Sequence, residues 1–131
     1  MVLNVRRAKF DDIGRVIHLS NRVQTALTAT GSQQQIGPLS QDTVEQAVSE
    51  NHCYILENFS QPIGCVFVRP LEQVIMSPLK AWGLDSFPGP HWYLHSLMLE
   101  PTEQRKGLGA HALAHVIEQI EPAQGTIFLD C

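Results

Sequence analysis

Cysteine is scarce in this chain, which has three cysteines among its 131 residues. Cys53, Cys65 and Cys131 lack the close pairing of a zinc site, and an odd set of three thiols does not form a disulfide framework. Apolar runs are short as well, since none approaches the roughly 20 residues that a membrane-spanning helix needs. The segment Met1 to Arg7 becomes charged too soon for a signal peptide. These absences predict a cytoplasmic protein with reduced thiols and no membrane contact.

An excess of positive charge is also missing. Nine lysines and arginines stand against thirteen aspartates and glutamates, which leaves a net charge of −4. Surfaces that bind nucleic acid are strongly basic, so we expect no nucleic-acid partner. Neither the P-loop pattern nor the dinucleotide-binding pattern G-x-G-x-x-G occurs in the chain, which excludes those two phosphate sites. The length predicts a single domain over residues 1–131.

Apolar periodicity predicts an α/β (α+β) fold, with a mixed central sheet and helices on both of its faces. The expected order is strand, helix, helix, strand, strand, strand, helix, strand. Because the last two strands flank a helix, we expect them to be parallel, while the earlier strands pair antiparallel. The predicted strands are Leu3–Ala8, Cys53–Glu57, Ile63–Arg69, Trp92–Leu99 and Thr126–Asp130.

Capping residues and apolar faces place the three helices. Asp11 or Asp12 is expected to cap the first helix, and Ser40 to cap the second. The third helix is expected to begin at Lys106 or Gly107. The residues predicted to face inward are Ile13, Val16, Ile17, Ser20, Val23 and Leu27 in the first helix, Val44, Ala47 and Val48 in the second, and Leu113, Val116, Ile117 and Ile120 in the third.

The sequence also predicts the structures of two connecting segments. The segment Asn58 to Pro62 is predicted to close a hairpin in which Cys53 and Cys65 face each other, either as a contact pair or as two small core residues. The long segment Leu71 to Pro90 is rich in proline and large apolar side chains. A connection of that length is expected to form a lid or binding loop, or a flap that covers the core.

The most informative stretch runs from Leu97 to Ala110. An apolar strand passes through a short proline-containing turn into a helix whose first turn is expected to carry two glycines and two cations, Arg105 and Lys106. Unpaired N–H groups, the helix dipole and the cations converge there, which suits a phosphate group. Glycines at 107 and 109 let a diphosphate approach the backbone closely.

This strand, turn and Gln-x-x-Gly-x-Gly loop resemble the acyl-coenzyme A site of the GNAT superfamily of N-acyltransferases. The resemblance implies acetyl-CoA or another acyl-CoA as cosubstrate, with the backbone of the strand's last three residues holding the pantetheine arm. The cofactor-binding residues it implies are Leu97, Met98, Leu99, Gln104, Arg105, Lys106, Gly107, Leu108, Gly109 and Ala110.

His95 is the candidate catalytic residue, because it precedes Leu97 by two positions on the strand implied to hold the thioester. An amine with a pKa near 10.4 must lose a proton before it attacks, and histidine is the side chain whose ordinary pKa best suits a general base. A hydrogen-bonded structural histidine is the alternative. His111 and His115 stand four residues apart, but Ala112 replaces the glutamate of an HExxH site, so we predict no metal.

A complete GNAT domain continues with a further helix and two strands, which this sequence lacks. The resemblance therefore implies an incomplete sheet edge at the last strand, through which we expect self-association into a homo-oligomer. The predicted function is acetyl-CoA-dependent transfer of an acetyl group to a primary amine of a small molecule or protein. The alternatives are a degenerate domain that binds acyl-CoA as a sensor or partner without turnover, and a structural fragment with no affinity for the ligand.

Overall fold

A computed structural model describes residues 3–33, 37–71, 91–104, 107–120 and 126–129. The elements follow the predicted order of strand, helix, helix, strand, strand, strand, helix and strand. Their bounds are β1 (Leu3–Arg7), α1 (Ile13–Ala29), α2 (Gln41–Ser49), β2 (Cys53–Asn58), β3 (Gln61–Pro70), β4 (His91–Leu99), α3 (Leu108–Ile120) and β5 (Thr126–Leu129).

The five strands form one mixed sheet in the order β1-β2-β3-β4-β5. The first four strands pair antiparallel with their neighbours, and β5 pairs with β4 in parallel. The helix α3 supplies the crossover that a parallel pair requires. The predicted α+β architecture is confirmed.

Alternating side chains divide the sheet into two buried faces. On one face α1 and α2 pack over Cys53, Ile55, Cys65 and Phe67. The other face, with Val66 and Val68 among its residues, is covered by α3 through Ala112 and Val116. The central strands β2 and β3 therefore bury both of their sides, which explains the nearly continuous apolar run of β3.

The inward face of α1 contains two polar side chains that hold the following connection. Ser20 is fully buried and its Oγ accepts a hydrogen bond from the N–H of Leu39 at 3.0 Å. The side-chain oxygen of Gln24 accepts one from the N–H of Gly37, also at 3.0 Å. These bonds satisfy loop donors that would otherwise be buried without partners. Ser20 was predicted to face inward, whereas Gln24 was not.

The capping predictions had different outcomes. Ser40 caps α2, since its Oγ accepts a hydrogen bond from the N–H of Thr43 at 3.2 Å. Asp12 is the N-cap residue of α1, as predicted, but its carboxylate makes no capping bond to a backbone N–H of that helix; it contacts the helix through the side chain of Arg15 at 3.2 Å. Its carboxylate instead accepts the N–H of Lys9 at 2.8 Å and forms a bidentate pair with Arg6 at 2.8 and 3.0 Å. A buried carboxylate binds the strongest donor within reach, which here is a guanidinium.

The inward face predicted for α3 was partly wrong. Ala112 and Val116 are buried and Leu113 packs partly against them, but 40% of the surface of Ile117 is exposed. The side chain of Ile120 lies outside the described residues. Since residues 112 and 116 contact the sheet, the buried stripe is shifted by one position from the predicted one.

The β2–β3 hairpin is tighter than predicted. Phe59 and Ser60 alone form the turn, with φ of 52° and 65°. Cys53 consequently pairs with Phe67, while Cys65 pairs with Ile55, so the two cysteines are diagonal neighbours and do not face each other directly. Both are free and buried. Burial raises the pKa of Cys53 to about 12 and that of Cys65 well above its ordinary value, as expected for two small core residues.

None of the helices in the described part of the chain is long and apolar enough to cross a membrane.

Candidate functional site

A bulge in β4 shapes the centre of the site. Cys65 pairs with Met98 and Phe67 pairs with His95, so Val66 of β3 faces two residues of β4. One of these two, Ser96, has a φ of 53°. An extra residue of this kind bends the strand and reverses the alternation of its side chains. His95 and Met98, three positions apart, consequently lie on the same face of the sheet.

Gly64 allows β3 to approach β4 closely beside this bulge. A Cβ at residue 64 would collide with the carbonyl oxygen of Met98 and would lie 2.9 Å from the Cδ2 of Leu99. Only glycine leaves room for that approach. The sequence pattern identified the strand but carried no sign of this contact.

The outer edge of β4 changes character along its length. The described pairs with β5 run from His91–Thr126 to Leu94–Leu129. Beyond them, no described strand pairs with the outer edge of Leu97, Met98 and Leu99, although β3 pairs with their inner edge. Main-chain groups on such an edge accept an extended, amide-containing ligand in the manner of an added strand. The role of these three residues in holding a ligand stays a prediction.

The turn after β4 is held by several contacts. The N–H of Glu100 donates to the carbonyl of Ile63 at 2.7 Å. The Glu100 carboxylate also pairs with Arg22 of α1, whose Nε donates at 3.0 Å. Further along, the side-chain amide of Gln104 donates to the carbonyl of Leu99 at 3.3 Å. Gln104 therefore links the end of the turn back to the last residue of β4.

The first turn of α3 follows directly. Gly107 is exposed with a φ of 73°, and no atom of the described residues outside its chain neighbours lies within 4 Å of the position that its Cβ would occupy. The helix then begins at Leu108, so its first N–H groups have no partner within the helix. Space in front of such N–H groups fits a phosphate. Ala110 is exposed on this turn, while Arg105, Lys106 and the side chain of Leu108 lie outside the described residues. The backbone of Gly109 is helical, as part of α3.

His95 lies between two aromatic rings on the face of the sheet that α1 and α2 cover. Its ring stacks on Phe67, with centroids 5.5 Å apart, and on Tyr93, with centroids 5.4 Å apart. Its Nδ1 is 3.0 Å from the Oγ of Ser96, the residue of the bulge. The ring is therefore fixed in orientation directly beside the distorted part of β4.

His95 also lines a cleft of about 230 Å³ between α2 and the sheet. Sequence reasoning missed this cleft, although the alternation of β3 places Phe67 and Arg69 on one face and predicts that they are neighbours. The described residues that line it are Thr43, Gln46, Ala47 and Glu50 from α2 and its end, His52, and Phe67, Arg69 and His95 from the sheet.

Charges of both signs lie in this cleft. Burial lowers the pKa of His52, and Arg69 lowers it further, while Glu50 acts in the opposite direction. The Nδ1 of His52 is 3.3 Å from the nearer carboxylate oxygen of Glu50. Since the pKa of His52 falls below its ordinary value, its ring is neutral at pH 7. Glu50 and Arg69 are then the charged groups of the described lining.

A metal site finds no support in the described ranges, where no three histidine, cysteine or acidic side chains are grouped to hold an ion. His111 is exposed on α3. The lid predicted for Leu71 to Pro90 lies outside the described residues except for Leu71, which is buried.

The sequence matches a known family. The model of the "Acetyltransferase (GNAT) family" matches residues 22–131, a range that contains β4, the turn and α3. Among curated proteins no sequence matches the chain.

Solved structures share the fold at low identity. A GNAT-family acetyltransferase from Listeria monocytogenes 4b F2365 has a TM-score of 0.79 and 17% identity, covering 98% of this chain and 76% of its own. The loading GNATL domain of CurA from Lyngbya majuscula has a TM-score of 0.68 and 14% identity. The match covers 98% of this chain and 64% of the CurA domain chain. N-acetylglutamate synthase from Neisseria gonorrhoeae, complexed with coenzyme A and N-acetyl-glutamate, has a TM-score of 0.62 and 19% identity. The match covers 98% of this chain and 25% of the synthase. The chain thus spans less than two thirds of the last two proteins, and these likenesses establish the fold alone.

Proposed function

Since the chain belongs to the GNAT family of acetyltransferases, we propose that it is an acyl-CoA-dependent N-acetyltransferase acting on a primary amine. The observation that carries this proposal is the continuity of three features: the bulge at Ser96, the open edge of Leu97 to Leu99, and the glycine turn before α3. Each suits a different part of one extended ligand. The complex of the Neisseria synthase with coenzyme A supports the same ligand class.

Different residues of this chain would hold different parts of acyl-CoA. Gly107 and the first N–H groups of α3 would hold the diphosphate, with charge from Arg105 and Lys106. The backbone of Leu97 to Leu99 would hold the pantetheine arm. When bound, acyl-CoA supplies a thioester carbon to which the amine nitrogen bonds as the carbon–sulfur bond breaks, and the sulfur leaves as a thiol after taking a proton.

His95 is proposed as the general base for this transfer. Its ring is fixed between Phe67 and Tyr93 beside the bulge, where the thioester end of the ligand would lie. A neutral imidazole there accepts the proton that the amine loses and passes it to water. The contact of its Nδ1 with the Oγ of Ser96 at 3.0 Å helps to fix the orientation of the ring.

Binding of CoA is the first test of the proposal. We expect unfolding of the chain to be opposed by about 2.7 kcal/mol when CoA is at a hundredfold excess over its Kd. Gly107→Glu should abolish this stabilisation, because it places a side chain and a negative charge in the proposed diphosphate site. Thermal denaturation with and without CoA measures both effects.

Gly31→Glu is the matched control. Gly31 also has a positive φ, of 83°, and also has nothing within 4 Å of its Cβ position. The strain and the added charge are therefore the same, and only the location differs. Stabilisation by CoA that survives Gly107→Glu as well as it survives Gly31→Glu would overturn the proposed site. CoA binding without acetyl transfer to any amine would instead favour the sensor.

A further inference from the structure

The cleft beside His95 contains a cation that the general reaction does not use. Arg69 is half-buried on β3 and lines the cleft together with His95. Among the ion pairs within the described ranges, none involves Arg69. A half-buried guanidinium without an ion-pair partner in the described part of the chain is well suited to bind a planar, bidentate anion.

The neighbouring acid is already engaged. Glu50, at the end of α2, lies 3.3 Å from His52, whereas no such contact joins it to Arg69. One negative and one positive group therefore remain apart in a cleft of about 230 Å³. A ligand with a carboxylate would complement the charge of Arg69, while a simple amine would leave Arg69 unpaired.

The order of the groups along the sheet fits such a ligand. Tyr93 pairs with Arg69 and Phe67 pairs with His95, so Arg69 is the diagonal neighbour of His95 on the same face. Diagonal positions of this kind have Cα atoms about 7–8 Å apart, a span that the long arginine side chain can reduce. Moving away from the bulge, the cleft thus presents first the proposed base and then the cation.

We infer that the acceptor is a small amino acid, whose carboxylate is bound by Arg69 while its amino group lies at His95. The inference rests on the proposed function and narrows its acceptor class. The cleft volume is below the range of about 300–1,000 Å³ that is usual for drug-sized ligands, which favours a small acceptor over a large one. A peptide N-terminus or a lysine of a protein lacks the adjacent carboxylate.

Matched acceptors test the inference. Alanine, alaninamide and ethylamine differ chiefly in the carboxylate, as do phenylalanine, phenylalaninamide and phenethylamine. We expect kcat/KM for each acid to exceed that for its amide by at least about tenfold, the usual effect of one charge-assisted hydrogen-bonded pair. Because the amide group lowers the pKa of the amine, intrinsic reactivity favours the amides, so the expected preference requires a binding contact.

Variants assign the preference to Arg69. Arg69→Gln should reduce the acid-to-amide ratio to near one, mainly through KM, and Arg69→Lys should retain an intermediate ratio. Arg7→Gln makes the same change at an exposed arginine on β1 and should leave the ratio unchanged. A variant that keeps its thermal stabilisation by CoA is folded, which separates loss of the acid contact from loss of the domain.

Binding provides a readout that does not depend on turnover. Titration of alanine and alaninamide by NMR, with and without CoA, should show saturable shifts for the acid that Arg69→Gln abolishes. Binding of this kind without acetyl transfer would support the acid site and overturn the enzymatic proposal. Acetylation of amides, simple amines or peptides as fast as of acids would overturn the inference and leave the enzymatic proposal standing. If CoA does not bind, both fail.

Discussion

At the scale of single residues, the orientation of His95 is decided by its neighbours. Phe67 and Tyr93 hold the ring between them, with interplanar angles of 18° and 19°. Stacked aromatic pairs of this kind add stability beyond the area that they bury. A histidine that is so constrained loses little entropy when it meets a substrate, which favours a catalytic role for a residue that the sequence left open between base and structural side chain.

Replacement of His95 by glutamine tests that role. We expect kcat/KM of His95→Gln to fall by about 10²–10³, a usual contribution of a general base, while the affinity for CoA stays the same. The residual activity should rise with pH, because more of the amine is then unprotonated. Kinetics between pH 6 and pH 9 measure both effects.

His111→Gln provides the control, since His111 is exposed on α3. An unchanged kcat/KM in His95→Gln across that range of pH would exclude His95 as the base.

At the scale of elements, the β2–β3 hairpin is held by an unfavourable turn. A two-residue turn with positive φ at both positions strongly prefers Asn-Gly, yet Phe59 and Ser60 occupy it. The side chain of Phe59 is 70% exposed and gains little from packing. The pairing of β2 with β3 therefore overrides the local preference of the turn.

The double variant Phe59→Asn, Ser60→Gly should stabilise the protein. Each left-handed residue costs about 1–2 kcal/mol. Glycine removes this cost at residue 60 but loses more chain entropy on folding, and asparagine only reduces it at residue 59, so we expect a gain of about 1–2 kcal/mol in the free energy of unfolding. Urea denaturation measures it. Phe10→Asn is the control, because Phe10 is similarly exposed, at 67%, but is not in a left-handed conformation. An equal gain in the control would show that removal of an exposed phenylalanine, and not the turn, is responsible.

At the scale of the whole molecule, two buried groups link folding to pH. The pKa of His52 is lowered, mainly by burial, so the folded state resists protonation that the unfolded chain accepts. The pKa of Asp12 is lowered by its hydrogen bonds with Arg6, so the folded state favours its ionised form. In both cases the unfolded state binds more protons in acid, and stability falls as the pH falls.

His52 and Asp12 affect the stability of the fold in different ranges of pH. The contribution of His52 is lost progressively below about pH 6.5, and that of Asp12 below about pH 3.9. We expect the free energy of unfolding to fall between pH 7 and pH 5, by at most about 1.4 kcal/mol per pH unit for one proton. His52→Gln should flatten this slope, as measured by urea denaturation at several pH values. His18→Gln, at an exposed position of α1, should not; equal slopes in all three proteins would contradict the role of His52.

Self-association of the protein is also a property of the whole molecule. In the described sheet β5 stands at one edge, next to β4. Self-association through that edge stays a prediction, which light scattering at several protein concentrations can test.

Local patterns in the sequence determined the order of the elements and the location of the glycine turn. Apolar periodicity reflects which side chains must leave water, so it identified both faces of the sheet. Ser40 was identifiable because a cap depends on adjacent residues alone, whereas the start predicted for the third helix at Lys106 or Gly107 was too early, since Gly107 has a positive φ and the helix begins at Leu108. The family followed from the same stretch, since strand, turn and loop are contiguous in the chain.

Only the tertiary structure decided how distant segments meet. The bulge at Ser96, the close approach at Gly64 and the pair of Arg22 with Glu100 depend on which partner lies opposite, and no local pattern encodes the partner. The cleft that brings Arg69 to His95 arises in the same way, because strand register and the packing of α2 jointly set it. Register is a property of pairs of strands, which is why it had to be observed.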